Sequence, residues 1–272
     1  MPLDIQAGIK RPKIDMHCHV FKMDNWEKSS DHLVECGEAL GITELWCSSI
    51  VGGGKIIPPE EICLHNNTIL SAMKRHPKRI RGWCFVIPGH YQAALDEIDR
   101  CLDAGMIGIK LYNQYWINDP AVFPVIERAV KRKVPILEHA GYPQPKFKAA
   151  QPHISHGIHF TEASQRYPEA MLIHAHIAGG GDWEQTVREM RNASPNVYID
   201  VSGSNLDDGM VEFAVQEMGV ERILFGTDGT MAGSVGRVLD ADLTEEQREL
   251  IFWGNAERIL APQGATPTES RF

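Results

Sequence analysis

A (β/α)8 barrel is the fold class that the sequence predicts, on three observations. Short apolar, β-branched runs alternate with amphipathic segments, and the alternation repeats eight times. The chain has 272 residues, close to the roughly 250 that eight βα units need. No GxGxxG turn follows the first apolar run, which disfavours a doubly wound open sheet, the main structural alternative.

The strands are expected at about 13–20, 43–50, 81–87, 106–112, 134–139, 170–176, 196–202 and 222–228, each bounded by Gly, Pro or charge. Helices are expected at about 28–40, 59–76, 91–104, 120–132, 157–167, 182–193, 207–219 and 243–250, with a last short one from Asn255 to Leu260. Pro58-Pro59 and Asp119-Pro120 open two of them, Asp182 opens another after Gly179-Gly180-Gly181, and Gly105 and Gly219 close two more. The Pro-, Gly- and Thr-rich stretch 261–272 reads as a frayed tail. Neither a repeat beyond the βα alternation nor a dividing linker is visible, so 1–272 reads as one domain.

Composition narrows the function. Hydrophobic residues make up 43% and charged residues 23%, the mix of a globular protein with an ample core. A net charge of −9 argues against nucleic acid or an anionic membrane as partner, since both need a basic face. No run approaches the roughly 18 apolar residues of a membrane span. A charged, then apolar, leader is not visible at the N-terminus, so a cytoplasmic location is expected. The six cysteines form no CxxC pair and are expected to be reduced thiols.

Chemistry concentrates at the ends of the expected strands, where barrels of this class place functional groups. Strand 1 ends in Ile14-Asp15-Met16-His17-Cys18-His19. Histidines at i and i+2 on a strand share a face about 7 Å apart, so both imidazoles can reach one cation, while Cys18 turns away. Strand 4 ends in Lys110-Leu111-Tyr112, strand 5 in Glu138-His139, strand 6 in His174-Ala175-His176 and strand 8 in Gly226-Thr227-Asp228. Twelve randomly scattered histidines would seldom mark strand ends so consistently. By the same alternation Asp15 shares the face of His17, and His174 is a deeper interior residue held by hydrogen bonds. His153, His156 and His159 recur every three residues, as on one helix face at a solvated helix start. Gly52-Gly53-Gly54-Lys55 lacks the spacing of a phosphate loop and reads as a lid over the barrel mouth.

Together, Ile-Asp-x-His-x-His, the later histidines, Ile223-Leu224-Phe225-Gly226-Thr227-Asp228 and Gly254-Asn255-Ala256-Glu257-Arg258-Ile259-Leu260 resemble the amidohydrolase superfamily. The resemblance is to the amidohydrolase-2 group, with its aminocarboxymuconate-semialdehyde decarboxylase relatives. It spans Ile14 to Leu260 and implies a metal-dependent, distorted TIM barrel. By motif position it implies His17, His19, His139 and Asp228 as metal ligands and a catalytic or second-metal role for His176; beside a metal, Asp228 can also accept a proton from bound water, which makes it the second catalytic candidate. Such a donor set suits Zn2+, with Mn2+ or Fe2+ admissible, and leaves a position for a water whose pKa falls towards about 7. Two departures reshape the pocket rim: Thr227-Asp228-Gly229-Thr230 after strand 8, and Ala178 after His176.

Lys110 has three open readings: a carbamylated bridge between two metals, a contact to a substrate anion, or an ammonium paired with Asp15 or Glu138. Tyr112, Tyr142, Ser202 and Ser204 are either pocket-lining or rim packing. The expected reaction is hydrolysis of an amide, ester or lactone of a small molecule by metal-activated water. The alternative is non-oxidative decarboxylation of a small carboxylic acid at the same metal. It needs a cation to seat the carboxylate; Lys110 and Lys55 are the candidates, and the absence of a strand-end arginine favours hydrolysis. A non-catalytic metal-binding barrel is the third reading, disfavoured by the complete ligand set. TatD-like nucleases share the HxH motif but place a glutamate where this chain has Lys110. A small molecule is the expected partner, with homo-oligomerisation left open.

Overall fold

Eight parallel strands hydrogen-bond in chain order: β1 (Lys13–His19), β2 (Ile42–Ser48), β3 (Ile80–Phe85), β4 (Gly108–Leu111), β5 (Ile136–Glu138), β6 (Leu172–His174), β7 (Val197–Asp200) and β8 (Ile223–Leu224). The segment after β8 meets β1 again, with Met16 N–H donating to Phe225 O at 3.0 Å and Asp228 N–H to His17 O at 2.7 Å. The sequence expectation of a (β/α)8 barrel therefore holds. The computed structural model describes residues 4–21, 24–142, 149–177, 179 and 181–261; the tail at 262–272 and Ala178 lie outside them.

The helices are α1 (Ile5–Lys10), α2 (Trp26–Ala39), α3 (Pro59–Arg75), α4 (Gln92–Asp103), α5 (Phe123–Arg132), α6 (Gly157–Arg166), α7 (Trp183–Met190), α8 (Met210–Met218), α9 (Met231–Asp240), α10 (Glu245–Glu249) and α11 (Asn255–Leu260). Sequence signals act as expected at several ends. Pro59 sits in the first turn of α3, and Asp182 caps α7 by accepting from Gln185 N–H at 2.9 Å. Two helices were not expected. α1 is short, and α9 carries Gly233, Ser234 and Gly236, whose low propensity hides the buried stripe Met231, Val235, Val238 and Leu239. A π turn, Leu250–Gly254, joins α10 to α11. Among the described residues no helix is long and apolar enough to cross a membrane.

Two apolar layers follow from strand alternation. Met16, Trp46, Trp83, Leu137, Ile173 and Leu224 fill the lumen, closed below by Ala256, Ile259 and Leu260 of α11. Trp83 Nε1–H crosses the lumen to Met16 O at 3.0 Å. The other faces of the strands, among them Cys18, Cys47, Ile109, Leu172 and Ile199, pack against the helices. Cys18, Cys47, Cys84 and Cys101 are buried and all six cysteines are free thiols. Beneath the barrel, Lys13 Nζ donates to the carbonyls of Gly8, Ile9, Arg11 and Leu40 at 2.7–3.0 Å. Gly8, Ile9 and Arg11 form the end of α1 and its exit and Leu40 closes α2, so one buried ammonium caps the C-termini of both helices.

Alternation fails at one point in β1, and the site depends on it. Asp15 pairs with Leu45 and Cys18 with Cys47, three steps against two, which is a β-bulge. Met16 and His17 consequently both turn inward, and Asp15 falls on the side of Cys18. Asp15 thus does not share the face of His17, as alternation had implied. Its carboxylate instead accepts from His17 N–H at 3.1 Å, Thr227 N–H at 3.0 Å, Thr227 Oγ1 at 2.6 Å and Cys18 Sγ at 2.8 Å.

Candidate active site

The site is built outward from Asp200 at the end of β7. His17 Nδ1 lies 2.8 Å from Asp200 Oδ2, and Asp200 Oδ1 accepts from His176 N–H at 3.0 Å, from Ser202 N–H at 2.9 Å and from the Ser202 hydroxyl. Burial would raise the Asp200 carboxyl, but the His17 ring and these donors overcome it and hold the group well below the carboxylate range. An ionised carboxylate only accepts, so the network puts the His17 proton on Nδ1 and leaves a lone pair on Nε2. That lone pair faces Asp228 Oδ1 at 3.8 Å and Lys110 Nζ at 3.4 Å. Gly226 makes room for the ring: a Cβ there would sit 2.9 Å from that of His17 and 3.2 Å from Asp200 Cγ.

His19 completes one side. Its Nδ1 is 3.0 Å from Ser48 Oγ, and its Nε2 is 3.0 Å from Asp228 Oδ1. Burial would raise the Asp228 carboxyl, yet the hydrogen bond from His19 and the fields of His17 and His176 hold it well below its usual range. The cap of α9 is Thr230, so Asp228 is not spent there.

Strand parity alone does not place His176 and Asp228. Both have left-handed backbone, φ 69° and 48°, a conformation uncommon outside glycine. The turn carries His176 toward the lumen while His174 stays on the outer face of β6. His174 was expected inside and hydrogen-bonded. It packs against Phe160 of α6, ring centroids 4.9 Å apart, and neither ring nitrogen meets a partner among the described residues.

A second string of contacts runs from Ser202. Its oxygen lies 2.8 Å from His176 Nδ1, His176 Nε2 lies 2.9 Å from His139 Nδ1, and His139 Nε2 lies 3.0 Å from Gln151 Oε1. The Ser202 hydroxyl donates to Asp200, so His176 Nδ1–H donates to Ser202; a neutral His139 has one N–H, which goes either to His176 Nε2 or to Gln151 Oε1. Burial lowers the His139 pKa to about 3 and holds His176 well below normal, so both rings are neutral.

Around this core the remaining sequence candidates separate. The Tyr112 ring stacks on His139 at 4.3 Å. Lys110 is fully buried beside His17 and makes no hydrogen bond to Asp15 or Glu138. Burial lowers its pKa to about 8, against the fields of Asp228, Asp200 and Glu138. Glu138 accepts from Ser155 Oγ at 2.9 Å. Tyr142 lies apart, stacked on His156 at 3.9 Å with its hydroxyl donating to Glu189. The helix face expected for His153, His156 and His159 is absent because α6 begins only at Gly157, with His156 as its N-cap. Trp116 gathers His153 and His159 instead, at 5.2 and 5.6 Å. Sequence reasoning missed Asp200 and Gln151. The signal for Asp200 was available, an acid two residues before Ser202 in an otherwise apolar strand.

His17, His19 and Asp228 offer ligand atoms all within 4.8 Å of one another, as do His17, His176 and Asp200. In the second group, Asp200 and His176 Nδ1 are already spent in hydrogen bonds. The first group fits a cation by its chemistry, because an imidazole lone pair fixed by Asp200 and an ionised carboxylate converge there. Three of the four expected ligands come together, and His139 joins His176 beside them. A groove of about 660 Å3 between α1, α8 and α9 contains none of these residues.

The family described as Amidohydrolase matches residues 53–261, a segment that begins after the HxH pair. No curated protein matches the chain. Among solved structures, 2,6-dihydroxybenzoate decarboxylase from Rhizobium aligns with a TM-score of 0.73 at 17% identity, covering 93% of this chain and 100% of that one. Dihydroxybenzoic acid decarboxylase from Polaromonas sp. JS666, solved with manganese and 2-nitroresorcinol, aligns at 0.73 and 18%, covering 96% and 100%. 5-Carboxyvanillate decarboxylase from Sphingomonas paucimobilis aligns at 0.70 and 15%, covering 92% and 99%. At these identities the likeness is one of fold.

Proposed function

The chain belongs to the amidohydrolase family, and from that premise we propose that it is a metal-dependent decarboxylase of a small aromatic carboxylic acid. The observation that carries this reading is Lys110, a buried ammonium 3.4 Å from His17 Nε2 with no carboxylate bonded to it among the described residues. It is a seat for a substrate carboxylate, the role for which Lys110 was one of two candidates in the sequence; the missing strand-end arginine, which had favoured hydrolysis, is not needed for it. The fold likeness to proteins named as decarboxylases of hydroxybenzoate and carboxyvanillate agrees.

His17, His19 and Asp228 would hold the metal, with His139 the fourth candidate. Zinc suits nitrogen and oxygen donors, and manganese, present in the Polaromonas structure, suits them also. When bound, the metal supplies concentrated positive charge beside the substrate carboxylate. Asp200 orients His17, and Asp15 holds the backbone of His17 and Thr227 together. Lys110 pairs with the carboxylate and Tyr112 flanks the ring. Decarboxylation exchanges CO2 for a proton on carbon; His176 and His139, which share a hydrogen bond, are the candidates to relay that proton rather than to store it.

Hydrolysis of an amide, ester or lactone is the second reading. It is favoured by the position of Asp228, a carboxylate 3.0 Å from His19 Nε2 and 3.8 Å from His17 Nε2, where it could take a proton from an attacking water. A panel of hydroxybenzoates assayed for CO2, beside esters, lactones and amides assayed for acid release, decides between them. The decarboxylase reading expects metal-dependent CO2 release that Lys110→Met suppresses at least a hundredfold. Acid release without CO2 would replace it with hydrolysis.

A further inference from the structure

Asn113, one residue beyond Tyr112, is 1% exposed, and both its Nδ2 and its Oδ1 are shut off from solvent without a partner among the described residues. Buried carboxamides are rarely left this way, because desolvation goes uncompensated. What covers Asn113 is the glycine loop after β2. Gly54, at φ 65°, approaches so closely that a Cβ there would sit 3.0 Å from Asn113 Oδ1. Gln114 Nε2 donates to Lys55 O at 3.1 Å, and His90 Nε2 lies 2.7 Å from Ile57 O. The loop therefore passes the end of β3 and rests on the loop after β4, beside the ring that stacks on His139. Gly52 and Gly53 have nothing within 4 Å of where a Cβ would be, so the tip of the loop stands clear of the rest of the barrel.

We propose that Asn113 is a substrate-binding residue whose carboxamide pairs with a hydroxyl of the ligand beneath this loop. A carboxamide presents one acceptor and a donor pair. A carboxylate accepts only and would leave Oδ1 unpaired, whereas a hydroxyl both donates and accepts. The inference rests on the reading of the protein as an enzyme of small aromatic acids, and it adds the substituent that the site selects.

The test uses the full, metal-loaded chain with 2,6-dihydroxybenzoate and unsubstituted benzoate as probes, and Asn113→Leu and Asn113→Ala as variants. Calorimetry should show the wild-type protein preferring the hydroxylated acid by tenfold or more and both variants losing that preference. Thermal melting should place Asn113→Leu at or above the wild type, because no intrachain hydrogen bond is lost. A preference retained in both variants, or Asn113→Leu melting several degrees lower, overturns the proposal, the latter showing an amide anchored within the protein by water. If the wild type binds neither acid, the aromatic-acid reading fails, and the melting comparison alone sustains or overturns the role of Asn113.

Discussion

Nδ1 of His17 and Oδ2 of Asp200 lie 2.8 Å apart with both side chains shut off from solvent. The carboxylate fixes which ring nitrogen carries the proton and hence which one faces the site. Partners of this kind commonly govern metal affinity by about 10–100-fold. Asp200→Asn should weaken metal binding by that factor, read by chelator competition, while the far-ultraviolet dichroism stays that of the wild type. Unchanged affinity would show that His17 needs no such partner.

Removing the metal tests the ligand set itself. Chelation should lower the melting temperature and abolish turnover, and added Zn2+ or Mn2+ should restore both. Saturation at a hundredfold over Kd corresponds to about 2.7 kcal/mol of stabilisation. His19→Ala and Asp228→Asn should lose the metal-dependent shift. His139→Ala should lose it too only when His139 is the fourth ligand, which separates the two arrangements.

Gly226→Ala probes the packing behind His17. The added methyl would press on His17 Cβ at 2.9 Å and Asp200 Cγ at 3.2 Å. Overpacking of this kind costs about 1–3 kcal/mol. Urea melts should show that loss, and metal affinity should fall with it because the neighbour that must move is a proposed ligand. A variant as stable and as tight-binding as the wild type would mean that the ring shifts freely.

Cys63 offers a pH-dependent test remote from the site. Burial, and then the hydrogen bond to Glu97 at 3.2 Å, raise its thiol pKa to about 11. The thiol is the form the fold prefers. Its contribution to stability is complete below the ordinary thiol value near 9 and is lost as pH rises from there through about 11. Alkylation by iodoacetamide should be slow at pH 8 and accelerate as the pH approaches 11. Glu97→Gln should shift that profile downward. Rapid labelling at pH 8 in the wild type would contradict the shielding.

Lys13→Met removes the ammonium that four carbonyls share. Those carbonyls then lack a donor, and a loss of about 2–4 kcal/mol is expected, measured by urea unfolding. The candidate active site lies at the other end of the barrel, so kcat of the folded fraction should stay within twofold.

The fold was legible because its signals are local. Alternating runs, prolines at helix starts and glycines at helix ends each report on a few neighbours, and eight strands near the expected positions followed. α9 escaped because Gly233 and Gly236 argue locally against a helix that packing of Val235 and Val238 stabilises. The expected strands at 170–176 and 222–228 ran too long at their C-terminal ends for a different reason. There the backbone leaves the ladder, and His176 and Asp228 take left-handed turns that alternation cannot foresee. The bulge in β1 likewise exchanged the faces of Asp15 and His17. His17, His19 and Asp228 nonetheless converge as their residue types and strand-end addresses led one to expect. Asp200 was passed over although an acid in an otherwise apolar strand was a signal in itself, because it belongs to none of the motifs that marked the other strand ends.

The clasp of Asp15 with Thr227 joins positions 212 residues apart. Ribosomes make β1 well before the segment after β8, so His17 and His19 emerge long before Asp228 exists to join them. A nascent chain therefore has half a cation site, and capture of the ion must await closure of the ring. Acquisition of the metal during refolding is for that reason a clock for the final step of assembly rather than for its beginning.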